Sequence, residues 1–255
     1  MNEIKFLGTA GARFVVAKQM RNSGGIWLNL ENTKILIDPG PGSLIRCLNS
    51  KPKIIPNELN GIILTHRHID HSNDINIMIE AMTNGGFNKK GIIFAPIDSL
   101  DKDPVILEYL RNYLEKIEIL EEKKTYKIGN IKFETPIKHI HGVETYGLNF
   151  FGGKYKISII SDTKYFDSLE NNYKGDILII NVVLLDNNDN IFHLSINDVE
   201  KIIRKNKPKL SIITHFGMTM IKNKPWEIAN DLSKKTNRKV IAANDGMSIK
   251  INDYI

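Results

Sequence analysis

Apolar residues along this chain come in short runs, and the spacing within the runs alternates between two periods. Runs at 3–8, 26–30, 34–37, 61–65 and 91–95 are strand-like. Between them the period changes: Ile75, Met78, Ile79 and Met82 fall at helical spacing, and Asn84-Gly85-Gly86 closes that helix. A second helix is expected after Pro41-Gly42, carrying Cys47. Asp103-Pro104 reads as an N-cap with proline at the first helical position, which predicts a helix through Leu107, Leu110 and Leu114. Strands follow at 117–120, 125–128, 131–135, 147–151 and 154–160. The second half then repeats a strand-and-helix rhythm: strand 176–181, helix 195–205, strand 210–214, helix 225–235, strand 239–242. Ser195-Ile196-Asn197-Asp198 has the form of a capping box with Asp in place of Glu. Segments 12–24, 97–103 and 216–224 are read as loops. No linker or low-complexity stretch breaks this order, so residues 1–255 are expected to form a single α/β domain, two sheets faced by helices.

The densest chemistry sits at the end of one of these runs. Thr65-His66-Arg67-His68-Ile69-Asp70-His71 follows the apolar Gly61-Ile62-Ile63-Leu64. In extended chain, residues two apart share a side, so His66 and His68 face one cleft. A turn into a helix at Asp70 would set Asp70 and His71 beside them. Several imidazoles crowded together are costly to bury unpaired, and binding a borderline metal through neutral nitrogen removes that cost. Four such side chains on one short segment are too many for one catalytic ion that keeps an open position. They suggest two adjacent ions.

Further candidates also end strands. His215 closes Leu210-Ser211-Ile212-Ile213-Thr214, and Ser211-Ile212-Ile213-Thr214-His215 repeats the Ile62-Ile63-Leu64-Thr65-His66 phrase. Asp162 follows the run 156–161, and His141 opens the turn-rich His141-Gly142-Val143-Glu144-Thr145-Tyr146-Gly147. A lone His or Asp at a strand end is commonly a turn or cap. The weight of these comes from their shared position at the carboxyl edge of a sheet, where sites are built.

On these residues the chain resembles the metallo-β-lactamase-fold hydrolases, almost end to end. Phe6-Leu7-Gly8-Thr9-Ala10-Gly11 is similar to the family's opening glycine loop, Asp38-Pro39-Gly40 to its Asp-x-Gly turn, and 65–71 to its signature. The resemblance implies a four-layer αββα sandwich holding two divalent metal ions, zinc first, with manganese or iron as alternatives. It implies that His66, His68 and His141 hold one ion, that Asp70, His71 and His215 hold the other, and that Asp162 bridges them. Within the superfamily the chain looks closest to the ribonuclease Z-like and cyclic phosphodiesterase branch, on Asp70, Asp162 and the 141–147 loop. There His193-Leu194-Ser195 resembles an element that brings a histidine near the scissile phosphate; alternatively His193 only precedes the Ser195 cap. Asp38 is expected to orient a ligand histidine, or else to serve as a plain turn residue. The protruding Gly- and Pro-rich arm of tRNA-processing members is absent from the sequence, as is the large insert of the CASP-domain nucleases between 162 and 215.

Composition narrows the classes. Of 255 residues 42% are hydrophobic and 25% charged, an ordinary soluble balance, and one cysteine forbids an internal disulfide and suits a reducing compartment. No signal core or apolar run long enough for a transmembrane helix is present, so a cytoplasmic protein without membrane attachment is expected. The net charge of +6 favours anionic partners, though the lysines are scattered. The expected function is a dinuclear metal-dependent hydrolase: a phosphodiesterase acting on a nucleotide, a cyclic phosphate or single-stranded nucleic acid through a hydroxide shared by the two ions. Asp70 and His193 are its expected proton-handling residues. The alternative is a carbon-ester hydrolase, a lactonase or thioesterase, on the same centre. A non-enzymatic metal- or nucleic-acid-binding module is disfavoured by the complete ligand set, and di-iron redox chemistry by the lack of room for a flavin domain. The sequence leaves the oligomeric state open, with a homodimer, frequent among relatives, as one alternative.

Overall fold

The computed structural model describes residues 2–255. The first half runs β1 (Glu3–Phe6), α1 (Ala12–Ala17), β2 (Ile26–Leu30), β3 (Thr33–Ile37), α2 (Ser43–Asn49), β4 (Gly61–Ile63), α3 (Ile69–Ser72), α4 (Ile75–Thr83), β5 (Ile92–Ala95), α5 (Glu108–Arg111) and β6 (Lys116–Ile119). The second runs β7 (Lys124–Ile128), β8 (Ile131–Thr135), β9 (Leu148–Phe151), β10 (Lys156–Ile160), β11 (Ile177–Asn181), α6 (Ile196–Asn206), β12 (Leu210–Thr214), α7 (Met218–Lys222), α8 (Pro225–Thr236), β13 (Val240–Ala242) and β14 (Ser248–Lys250).

These strands make two seven-stranded sheets, ordered β14-β1-β2-β3-β4-β5-β6 and β13-β12-β11-β10-β9-β8-β7. In each, the later strands are parallel: β3 to β6 in the first sheet, β10 to β13 in the second. Parallel strands are covered on both faces and need apolar residues at both parities. Strand β11 shows this directly. Its Ile177 and Ile179 enter the core between the sheets, while Leu178 and Ile180 enter the core beneath α6 and α8. Leu36 and Ile62 likewise turn outward to a third core with Met78, Ile79 and Met82 of α4. Three apolar layers between four layers of elements make this the αββα sandwich expected from the sequence.

Local chemistry sets the ends. Helix α4 stops where Asn84 and then Gly85 take left-handed φ of 51° and 67°. Helix α6 begins with the predicted capping box: the Ser195 hydroxyl accepts from the Asp198 amide, and the Asp198 carboxylate accepts from the Ser195 amide at 3.0 Å.

The structure corrects four expectations. The helix expected from Asp103-Pro104 is only the short Glu108–Arg111, and the chain before it folds back so that the amides of Val105 and Ile106 bond the Ser99 carbonyl. Segments 12–24 and 216–224 are not wholly loop. Short helix α1 buries Val15 and Val16 against Ala10, and α7 buries Met220. Strand β14 was absent from the sequence reading; it pairs antiparallel with β1 and brings the end of the chain back to its start. Just before it, the Asp245 carboxylate accepts from the Thr9 amide and hydroxyl at 2.9 and 2.7 Å and from the Asn22 amide at 2.7 Å. That carboxylate clamps the opening glycine loop. No helix among the described residues is long and apolar enough to cross a membrane.

Candidate metal centre

Strand β4 delivers the signature segment to the carboxyl edge of the first sheet. There Asp38, just past the neighbouring β3, has a left-handed φ of 53° and turns its carboxylate toward the incoming chain. One oxygen accepts from the Thr65 amide at 2.7 Å; the other accepts from the Thr65 hydroxyl at 2.8 Å and from His71 Nδ1–H at 2.9 Å. With its hydroxyl proton used on Asp38, Thr65 Oγ1 is left to accept from Ser161 at 2.8 Å and from His66 Nδ1–H at 3.1 Å. Both His66 and His71 therefore present Nε2 to the cleft. The backbone of Gly40 packs on the Asp70 carbonyl, and that of Gly11 packs on His215, so closely that a side chain at either position would collide.

The second sheet supplies the facing wall. Asp162 follows β10, with one oxygen held by Asn181 of β11 at 2.9 Å. His215 follows β12 in a left-handed conformation, φ 61°. His141 donates Nδ1–H to the Phe192 carbonyl at 2.9 Å, which directs its Nε2 to His68 Nδ1 at 3.0 Å. The strap between β11 and α6 folds over this wall. Within it the His193 amide bonds the Ile191 carbonyl, and the His193 ring comes to 5.1 Å from that of His141.

All seven expected ligands and His193 thus converge. Their donor atoms fall into four triads: His66, His68, His141; His66, His71, Asp162; Asp70, His71, His215; and His141, Asp162, His193. Asp162 is central, lying 3.4 Å from His71, 3.5 Å from His215, 3.7 Å from His193 and 3.8 Å from His66.

Three observations test whether the residues suit divalent ions. First, His66 Nε2 and His215 Nδ1 are buried with no hydrogen-bond partner. Second, imidazole nitrogens face each other in pairs, His68 with His141 at 3.0 Å and His71 with His215 at 2.9 Å. Third, the electrostatics ask for cations. Burial alone would raise Asp162, but His215, His193 and His71 outweigh it and hold the carboxyl well below the usual range. Burial would also raise Asp70, and His71 and His215 likewise override it. Burial would lower His71, yet Asp70, Asp162 and Asp38 raise it well above its ordinary value, so a proton supplies the positive charge the carboxylates attract. Burial keeps His66 and His68 low, hence neutral and able to donate a lone pair. Imidazole and carboxylate in these proportions fit zinc, manganese or iron. The site fits divalent metal.

Burial also pushes His193 down to about 4. Its ring points into the cleft, with Nδ1 3.7 Å from the Asp162 carboxylate, and Asp38 accepts from His71 Nδ1–H.

The sequence reading gave no role to His139, Tyr173, Asn181 or Ser161, all of which back this site.

Comparison with known proteins agrees with this geometry. Residues 33–216 match the model of the beta-lactamase superfamily domain. The protein MJ1374 of Methanocaldococcus jannaschii is 29% identical over 98% of this chain and 95% of its own. Among solved structures, the metallo-beta-lactamase fold protein YhfI of Bacillus subtilis has a TM-score of 0.81 at 18% identity, covering 97% of this chain and 98% of its own. A diphosphatase of the PhnP family has a TM-score of 0.72 at 18% identity, covering 98% of each. Human short-form tRNase Z has a TM-score of 0.69 at 17% identity, covering 98% and 99%. With the model spanning most of its length and both sheets of the sandwich in place, the chain belongs to the β-lactamase superfamily and has the metallo-β-lactamase fold.

Proposed function

We propose that this protein is a dinuclear metal-dependent phosphodiesterase acting on a nucleotide-like or cyclic phosphodiester. The observation that carries the reading is the convergence of six imidazoles and two carboxylates, His66, His68, Asp70, His71, His141, Asp162, His193 and His215, on one cleft. His66, His68 and His141 would hold one ion, Asp70, His71 and His215 the other, with Asp162 between. Divalent ions bound there would supply Lewis acidity, acidifying a water and taking up charge on a phosphoryl oxygen. The chain's own residues do the rest. Asp70, 3.4 Å from His215 Nε2, can accept a hydrogen bond from the attacking water and orient it. His193 offers a ring N–H from the opposite side, beside His141 and Asp162, to the phosphate or the leaving oxygen. Asp38, Thr65 and Asn181 fix the tautomers and the carboxylate so that no reorganisation is needed during reaction. The structural likeness to a diphosphatase and to a tRNase Z supports phosphate chemistry over other uses of the fold.

A second reading, carbon-ester hydrolysis, has its own observation. Large apolar side chains next to site residues are exposed, namely Ile69, Ile140 and Phe192, while the nearby cations are engaged, Arg67 on Asp103 and Lys164 on Asp189. The deciding experiment is hydrolysis of bis(p-nitrophenyl) phosphate by protein reloaded with zinc or manganese, with lactones and thioesters in parallel. Metal-dependent phosphodiester turnover that is lost in Asp70→Ala is expected. Turnover confined to acyl substrates would replace the first reading by the second. His193→Ala is expected to lower turnover with metal content unchanged; lost metal would make His193 a ligand instead.

A further inference from the structure

His139 is almost fully buried behind the centre, touches none of the cleft, and still makes two polar contacts. Its Nδ1 lies 3.2 Å from the backbone carbonyl of Asp162, and its Nε2 lies 2.7 Å from the hydroxyl of Tyr173. A carbonyl only accepts, so the proton is on Nδ1. Nε2 is then a lone pair, and the Tyr173 hydroxyl must donate to it. The other side of that hydroxyl meets the backbone of Gly147, where any side chain would strike the Tyr173 oxygen. Each proton in this chain of contacts has one allowed position.

The contacts join two loops. His139 begins the loop that carries His141 and closes its base by donating its amide to Thr145 at 2.9 Å; Gly147 ends the same loop. Asp162 belongs to the turn after β10. The two are stitched further where the Ile140 amide bonds the Thr163 hydroxyl at 3.1 Å and the Lys164 amide bonds the Ile140 carbonyl at 2.8 Å. Among the described residues no backbone amide serves the Asp162 carbonyl, which depends on His139. Packing alone does not call for this arrangement, because an apolar pair would fill the same volume without the cost of burying two polar groups.

We propose that His139 and Tyr173 are positioning residues that lock the His141 loop to Asp162 through the Nδ1–H tautomer of His139, and so set the spacing of both metal sites. The proposal rests on the assignment of His141 and Asp162 as ligands. It predicts that metal affinity follows the hydrogen bond to the Asp162 carbonyl rather than bulk stability. The test measures zinc affinity by chelator competition, melting temperature, and the imidazole nitrogen signals of His139 in the metal-free protein. His139→Leu is expected to weaken zinc binding about 10- to 100-fold, the usual cost of losing a residue that orients a ligand. In His139→Asn the side-chain amide can donate to the same carbonyl, so affinity returns to within a few-fold of wild type at the same reduced melting temperature. Tyr173→Phe should keep the Nδ1–H tautomer, which the Asp162 carbonyl enforces, but shift the His139 Nε2 signal as that nitrogen loses its donor.

Wild-type affinity in His139→Leu, or an Asn variant no better than Leu at equal melting temperature, overturns the proposal. So does an Nε2–H signal in wild type. Should His139→Leu fail to fold, the Asn and Phe variants decide the question. Wild-type protein that binds no zinc would sink the ligand assignment, while the Nδ1–H tautomer and the Nε2 shift in Tyr173→Phe would still report on the lock itself.

Discussion

The two walls of the metal centre are built on opposite plans. In the first sheet His66, His68, Asp70 and His71 sit within six consecutive positions after β4, braced from behind by Asp38 and Thr65. In the second, His141, Asp162, His193 and His215 come from four separate loops, and their spacing depends on the parallel register of β10, β11 and β12. A local segment keeps its geometry as long as its own backbone does. A wall assembled from strand ends keeps it only while the sheet holds register and the loops are tied together. This is why the second wall carries more bracing: Asn181 on Asp162, the Phe192 carbonyl on His141, and the His139–Tyr173 pair.

The largest effect should come from removing what the walls share. Asp162→Ala is expected to reduce metal-dependent turnover by on the order of 10³-fold or more while leaving the circular dichroism of the metal-free protein native. Loss of the fold instead would mean that Asp162 is chiefly structural. Chelation comes next. Stripping metal should lower the melting temperature, and each site restored by zinc at about 100 times its dissociation constant adds about 2.7 kcal/mol. An unchanged melting temperature on zinc addition would contradict the proposed two-ion assignment. Bracing of the first wall can be probed by Asp38→Asn, which weakens the acceptor for His71 and should cost about 10- to 100-fold in zinc affinity by chelator competition. The smallest effect belongs to the strap of the second wall. Ser195→Ala removes the cap of α6 and should cost about 1 kcal/mol, read as a lower urea midpoint at constant slope. A much larger loss of turnover than of stability in that variant would show that the cap also holds His193.

The first wall was legible in the sequence because its information is local. Period-two spacing put His66 and His68 on one side, and the helical run after His71 closed the segment. Residues Asp162 and His215 were found by a weaker rule, that sites gather at the carboxyl ends of strands, and the structure brings both there. His193 stayed undecided between cleft and cap until the strap was seen to turn its ring inward. What failed was equally physical: Asp103-Pro104 has the composition of a helix start, but the chain there takes a turn closed by the Ser99 carbonyl and the helix forms only at Glu108. Strand β14 lacked a pattern long enough to see, and it exists because β1 offers it an edge.

By itself, then, the sequence determined two sheets faced by helices and which side chains are candidate donors, since hydrophobic period and side-chain chemistry are properties of short segments; the sandwich came from the family resemblance. Only the tertiary structure decided which nitrogen each histidine presents, that Asp162 stands between both triads, and that a buried His139 and Tyr173 stand behind it. Those facts depend on partners far apart in the chain, and no short-range pattern encodes a hydrogen bond between loops that meet only after both sheets have formed.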